Sequence, residues 1–237
     1  MEYGRLAKHI GIVAVSPEGA ALCYRQIFRH AAQLLPPEEH PRLSLHNHPL
    51  EIYLKLVRQK DWRMVGDLLR ESAQVLAQAG AEFCFTPDNA IQHGVHLAET
   101  GSPIPWLSMI DLVAEALVRD GRKVSGLIGA EVVTAGSTYQ THLGLQGIQV
   151  LTPPAEEASK LDDVIFKELV FGQIKPESQR VVLSAIEGLA DRGCDSVILA
   201  TSEAPLLVTA ENSPLPVYDA ADILAAGAVR RAMGSEL

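Results

Sequence analysis

The sequence predicts an α/β fold made of two similar domains, each a parallel sheet flanked by helices, with an active-site cleft between them. Short apolar runs alternate with longer amphipathic stretches, which is the pattern of βα units that build a parallel sheet. The chain has 237 residues. Two domains of roughly 100 residues each fit that length. Segments of the first half also align with segments of the second, which indicates a duplicated unit.

The apolar runs are too short to cross a membrane and suit a sheet that helices cover on both faces. They predict strands at residues 10–15, 43–46, 82–86, 124–128, 149–151, 196–199 and 216–218. The amphipathic stretches predict helices at residues 19–35, 62–79, 161–171, 178–191 and 220–233.

The duplication is seen in two matching pairs of segments. Residues 79–89 align without a gap with residues 192–202, and residues 9–14 match residues 124–129. In the longer pair a helix ends at a glycine, an acidic residue opens a strand, and small polar residues follow it. Chance similarity between βα units is the alternative, but two copies of one unit are the economical explanation.

Prolines indicate where the chain passes between the halves, because proline breaks regular elements and stiffens connections. Pro103 and Pro105 mark the crossing into the second half, and residues 212–216 mark a similar return. We therefore expect a first domain of residues 1–104 plus about 217–237, and a second domain of residues 105–216.

The charge balance excludes a nucleic-acid-binding surface. The formal net charge is −9, and the 20 Lys and Arg residues form no basic stripe. The N-terminal segment has no signal-peptide pattern, and no apolar stretch approaches the roughly 18 residues that a membrane helix needs. We expect a cytoplasmic protein that binds a small molecule and does not bind membranes.

Histidine and cysteine spacing does not predict a metal site. The close histidine pairs are His46 with His48 and His93 with His96, and neither has a convincing third ligand, whereas zinc needs three or four. The three cysteines are scattered and lack CxxC spacing, as is typical of reduced thiols.

Polar residues follow two equivalent strands, one in each half. Ligands of open α/β sheets bind beyond the carboxyl ends of the strands. Asp88 and Asn89 lie there in the first half, and Thr201, Ser202 and Glu203 lie there in the second. If the halves face each other, Asp88 and Thr201 confront each other across the cleft.

Two other strand ends contribute candidates for substrate binding. Ser16 precedes a helix start, where backbone amides can hold a carboxylate. Asn47 and His48 follow the second strand on the same side of the sheet.

Each candidate also has a purely structural interpretation. Asp88 suits a helix N-cap, a role worth about 1 kcal/mol. Thr201 and Ser202 suit the same role, and Glu203 suits the first turn of a helix. His93 is as consistent with a helix surface as with catalysis, and local sequence alone leaves these alternatives open.

The same segments resemble the aspartate/glutamate racemase family, which is independent of pyridoxal phosphate. That family reads P-C-N-T-A-H or C-T-N-T-M-H after the strand of the first half, where this chain has PDNAIQH at residues 87–93. The family's second motif is G-C-T-E, where residues 200–203 read ATSE. Further similarity at residues 165–173, 203–207 and 215–219 extends the resemblance over nearly the whole chain.

The resemblance implies proton exchange at the carbon α to a carboxylate, with no cofactor, in a homodimer. Two cysteines do this chemistry in the family, and Asp88 and Thr201 stand at their positions here. Glu131 replaces part of a hydroxyl-bearing segment that holds the substrate carboxylate, which implies a less negatively charged substrate. The leading hypothesis is a racemase-like isomerase of a small amino or carboxylic acid. A lyase or decarboxylase on the same scaffold and a non-catalytic binding protein are the alternatives.

Overall fold

The structure is a computed structural model that describes residues 7–234. Its strands lie within a few residues of the predicted positions, and their apolar side chains are mostly buried. The strands are β1 (Ile10–Ala14), β2 (Leu43–Asn47), β3 (Phe83–Phe85), β4 (Val124–Gly129), β5 (Gln149–Leu151), β6 (Ser196–Ala200) and β7 (Val217–Asp219).

The helices include all five predicted ones and five that the sequence analysis missed. The missed helices have 11 residues or fewer, and short apolar segments are difficult to assign to helix or strand from their spacing. The helices are α1 (Pro17–Leu34), α2 (Leu50–Arg58), α3 (Trp62–Gln78), α4 (Gln92–Glu99), α5 (Met109–Arg119), α6 (Glu131–Thr134), α7 (Thr138–Leu145), α8 (Ala155–Lys167), α9 (Pro176–Asp191) and α10 (Ala220–Ala232).

The first of two compact units comprises Met1–Met109 and Leu224–Leu237. Its three strands are parallel in the order β2-β1-β3. Beyond β3, Trp106 forms a parallel bridge with Cys84, so the chain continues the sheet there. The unit's apolar core joins β1 to α3 and also contains Tyr53 and Ile91.

The second unit comprises Ile110–Ile223 and repeats the same arrangement. Its four strands are parallel in the order β5-β4-β6-β7. Gly80 and Gly193, which the duplication aligns, follow the helices α3 and α9 with φ of 92° and 89°. Glycine suits this left-handed conformation because it has no Cβ.

A carboxylate begins the third strand of each unit in the same way. Glu82 accepts a hydrogen bond from the backbone N–H of His9 at 3.0 Å. Asp195 accepts from the backbone N–H groups of Lys123 at 2.7 Å and Val124 at 3.2 Å. In both units an acidic side chain therefore ties its strand to the start of the central strand, which supports duplication of one ancestral unit.

The unit boundaries differ from the predicted ones on both sides. The bridge at Trp106 keeps the chain in the first unit as far as Met109 rather than residue 104. Strand β7 pairs with β6, so residues 217–219 belong to the second sheet and not to the first domain. Prolines mark bends in the chain, whereas backbone hydrogen bonds decide which sheet a segment joins.

Asp195→Ala should destabilise the protein by about 1 to 3 kcal/mol, because two backbone N–H groups lose their carboxylate acceptor. Burial alone would raise the pKa of Asp195, but the hydrogen bonds from Lys123, Val124 and Ser196 hold it below its usual value. Urea unfolding measures the change in the free energy of unfolding. The exposed Asp191→Ala is the control and should change it by less than about 0.5 kcal/mol. Equal stabilities for the two variants would contradict the role of Asp195.

Candidate functional site

Asp88 lies at the carboxyl edge of the first sheet, in a turn held by several hydrogen bonds. Its side chain caps the 3-10 turn Asn89–Ile91 by accepting from the N–H of Ala90 at 3.0 Å. Gln92 Nε2 donates to the Asp88 carbonyl at 2.9 Å. The structural interpretation of Asp88 as a cap is therefore correct, and it also fixes the carboxylate in one place. The side chain is half-buried.

The other candidates of the first unit lie at the same edge in different surroundings. Ser16 is buried, and its hydroxyl caps α1 by accepting from Gly19 N–H at 3.1 Å. Asn89 is buried beside Asp88, while Asn47 is exposed at the end of β2. His48 is mostly buried, with Nε2 at 3.9 Å from Glu71 Oε2.

A shallow cavity of about 410 Å³ opens on the α1 side of β2. Its walls are mostly apolar, with Tyr24, Arg25 and Asn47 as the polar contributors. Of the predicted site residues, Asn47 lines this cavity, and Asp88 does not. Asn47 ends β2 and Asp88 follows β3, and these two strands lie on opposite sides of β1.

The second unit buries its three candidates directly after β6. Thr201, Ser202 and Glu203 are 7%, 4% and 3% exposed. The Thr201 hydroxyl donates to Glu203 Oε2 at 3.0 Å. A carboxylate that loses contact with water needs such donors, since burial of a charge is otherwise strongly unfavourable. The sequence predicted that these three residues follow one strand, but it did not predict the hydrogen bond between Thr201 and Glu203.

Glu131 begins helix α6 close to a second carboxylate that the sequence analysis missed. The backbone N–H of Glu131 donates to Asp162 Oδ1 at 2.7 Å. Burial raises the pKa of Asp162, and the nearby charges of Glu131 and Asp163 raise it further. The hydrogen bond from the Glu131 N–H lowers this pKa, but its effect is smaller than their sum. Asp162 could not be found from sequence because its partner lies on another element. Its presence adds negative charge where the resemblance places a substrate carboxylate.

The buried thiols cannot replace the two cysteines that the resemblance leads one to expect. Cys84 lies inside β3 with no exposure, and burial raises the pKa of its thiol. Burial also raises the pKa of Cys194. His93 is exposed on α4 with its ring against Trp62, at 5.1 Å between centroids, which is the helix-surface arrangement.

The first unit contains a cluster of polar side chains that the sequence did not predict, formed by His46, His48, Ser72 and Tyr53. His46 Nδ1 lies 3.0 Å from the Ser72 hydroxyl, and its ring lies edge-on to His48 at 5.1 Å. Tyr53 lies beside them with its ring centroid 6.3 Å from that of His48. Burial lowers the pKa of His46, and the charge of His48 lowers it further. Only the His46 and His48 spacing could have been noticed in the sequence.

A family model described as Asp/Glu/Hydantoin racemase matches residues 12–228. The chain belongs to this family. The match includes every candidate residue named above, so the resemblance drawn from the motifs is confirmed. Membership in this racemase family supports a racemase-like function in general terms and leaves the substrate open.

Solved structures of racemase-family proteins share the fold. A candidate Asp/Glu racemase from Yersinia pestis has a TM-score of 0.84 at 27% identity, covering 95% of this chain and 99% of that one. An aspartate racemase homologue from Pyrococcus horikoshii has a TM-score of 0.81 at 24% identity, with 95% and 99% covered. A glutamate racemase from Francisella tularensis, solved with D-glutamate, has a TM-score of 0.65 at 13% identity, with 92% and 78% covered. The predicted fold class is confirmed.

Residues 7–234 contain neither a membrane-spanning helix nor a cluster of metal-ligating side chains. No helix in that part of the chain is long and apolar enough to cross a membrane. No group of three or more His, Cys, Asp or Glu side chains there is placed to hold a metal ion.

The native protein should contain no rapidly reacting thiol, because Cys84 and Cys194 are buried and their pKa values are raised. A thiol-reactive chromophore at pH 7 measures this, with the urea-unfolded chain as the control. The three cysteines should react only after unfolding. A fast-reacting equivalent in the native protein would contradict the exclusion of thiol chemistry.

Proposed function

We propose that this protein is a cofactor-independent isomerase that moves a proton at the carbon α to the carboxylate of a small amino acid or related acid. The observation that carries the proposal is the equivalent placement of Asp88 and the Thr201–Glu203 pair. Asp88 follows β3, and Thr201 follows β6, which are the corresponding strands of the duplicated units. Family membership supports the reaction class.

Asp88 is the base in this proposal. An ionised carboxylate can remove a proton from a carbon acid that is held against it. The hydrogen bond from Ala90 N–H holds the Asp88 carboxylate in a fixed place at the end of β3. A fixed base needs no reorganisation before it meets the α-proton.

Thr201 is the proton donor, with Glu203 behind it. A threonine hydroxyl is too weak an acid and base to act alone, but this one is hydrogen-bonded to a buried carboxylate. In the proposed step Glu203 carries a proton and the observed hydrogen bond is reversed, so that Glu203 donates to the Thr201 oxygen. Thr201 then gives its own proton to the substrate carbanion and recovers one from Glu203. Asp88 then holds the α-proton and Glu203 is ionised. The reverse reaction, or exchange with water, restores the starting state.

Negative charge in the second unit favours a substrate with a neutral side chain. Asp162 already accepts the N–H of Glu131, and the Glu131 carboxylate adds to the negative charge there. A dicarboxylic acid would bring a further like charge, which is unfavourable in partly buried surroundings. We therefore propose a monocarboxylic amino acid rather than aspartate or glutamate.

Asp88→Asn should lower α-proton exchange by at least about 100-fold, since the amide cannot act as the base. The measurement is proton NMR of single enantiomers of neutral and acidic amino acids incubated with protein in deuterated water. Asp191→Asn changes an exposed carboxylate at the end of α9, is the matched control and should retain full activity. Undiminished exchange in Asp88→Asn would remove Asp88 from its role. A product of different mass would favour the lyase alternative.

Thr201→Val should stop inversion while leaving some exchange at the face that Asp88 serves, because only the hydroxyl is lost. Thr201→Ser keeps the hydroxyl and is the matched control. Chiral chromatography of the reaction mixture measures inversion, and NMR measures exchange. Equal inversion by Thr201→Val and the wild-type protein would show that Thr201 is not the donor.

A further inference from the structure

Helix α1 and strand β2 form two walls of the shallow cavity of about 410 Å³ in the first unit. The helix residues are three and four positions apart, so they share one face of α1, and the strand residues alternate, so they share one face of the sheet. The lining of this α1–β2 cavity includes Ala20, Ala21, Tyr24 and Arg25 on the helix and Leu45 and Asn47 on the strand.

The walls of the α1–β2 cavity are mostly apolar and partly exposed to water. Tyr24 and Leu45 are 44% and 43% exposed, although both are large side chains with apolar surface. The Tyr24 ring packs against Phe28 with 5.0 Å between ring centroids, which holds it in place as one side of the cavity. Covering such surface is favourable, because apolar area then leaves water. The volume lies within the range of roughly 300 to 1,000 Å³ that is typical of small-molecule sites.

Arg25 is the charged residue among those that line the cavity. Its guanidinium has neither a hydrogen bond nor an ion pair with any residue from 7 to 234. Asn47 uses its amide Nδ2 in a long hydrogen bond of 3.4 Å to the His48 carbonyl. The protein carries a formal net charge of −9, so a cavity whose charged side chain is positive differs from the chain as a whole. This charge attracts an anion and repels a cation.

A carboxylate attached to an apolar body fits these groups best. A guanidinium holds a carboxylate through two parallel hydrogen bonds, and a neighbouring amide N–H adds a third donor. An aromatic ring or a branched alkyl chain matches the apolar walls, and the Tyr24 ring presents a flat surface to it. The lining side chains that the structure describes include no carboxylate, imidazole or thiol. The cavity therefore suits binding and lacks the usual acid–base groups for transforming a ligand.

We propose that the α1–β2 cavity is a binding site for a small carboxylic acid with an aromatic or branched apolar body, and that Arg25 and Asn47 hold its carboxylate. The site goes beyond the proposed reaction, because Asp88 follows β3, on the opposite side of β1 from β2. Binding there requires neither turnover nor Asp88. A failure of the proposed function would therefore leave this inference untouched, and the reverse also holds.

The test is a titration of the full chain with 3-phenylpropionate at pH 7, followed by NMR of carbon-13-labelled alanine methyl groups. The signals of Ala20 and Ala21 should shift saturably. The matching amide, 3-phenylpropanamide, and the matching amine, 3-phenylpropylamine, keep the apolar body and lose the negative charge. Both should bind about 10-fold more weakly or worse, since they cannot form the charge-assisted pair with Arg25. Equal affinities for the acid and the amine would overturn the proposal.

Arg25→Gln should weaken binding of 3-phenylpropionate about 10-fold or more, because the guanidinium is lost while a polar side chain remains. Arg29→Gln removes the same charge one turn further along α1, from an exposed residue outside the cavity lining, and should leave the affinity unchanged. Asp88→Asn should also bind the probe as the wild-type protein does. Wild-type affinity in Arg25→Gln would contradict the site.

Ala21→Trp gives an independent test, because the indole fills the cavity from an exposed position on α1. It should abolish the saturable shift, whereas Ala32→Trp, exposed on the same helix outside the cavity lining, should retain it. Urea unfolding checks that both variants fold. If the wild-type protein does not bind the probe and forms a dimer that Ala21→Trp dissociates, a second copy of the chain covers the cavity and the proposal is refuted.

Discussion

Parallel strand pairing is the constraint on which the candidate site depends. Within residues 7–234, β1 pairs in parallel with β2 and β3, and β4 pairs in parallel with β5 and β6. Parallel strands end at one edge of their sheet, so every residue that directly follows a strand lies at that edge. Asp88 and Thr201 owe their positions to this geometry, since each follows the end of a parallel strand. The carboxylates Glu82 and Asp195 secure the opposite end by fixing where the paired strands begin.

Electrostatics give the site its chemical character. Hydrogen bonds fix its carboxylates in place: the backbone N–H of Ala90 donates to Asp88, the Thr201 hydroxyl to Glu203, and the backbone N–H of Glu131 to Asp162. In the proposed reaction Asp88 and Glu203 exchange protons, and groups held in this way need little rearrangement to do so. The thiols, by contrast, are buried and hard to ionise, so they act as small apolar side chains.

The sequence predicted the features that depend on local pattern. Apolar runs located the strands, and the aligned segments predicted a duplicated unit, which the equivalent orders β2-β1-β3 and β5-β4-β6 support. Contacts between distant residues could not be predicted in this way. The hydrogen bond from the Glu131 N–H to Asp162 and the one between His46 and Ser72 both join different elements of the chain. The short helix α2 was missed, and with it the buried Tyr53 that it carries.

The proposed reaction uses two different groups, Asp88 to remove the α-proton and Thr201 to deliver another. The most direct measurement is the distribution of deuterium at low conversion, starting from each enantiomer in deuterated water. Two different groups should place deuterium in the newly formed enantiomer and almost none in the remaining starting enantiomer, in both directions. Equal labelling of both enantiomers, or inversion that retains the original proton, would contradict this reaction.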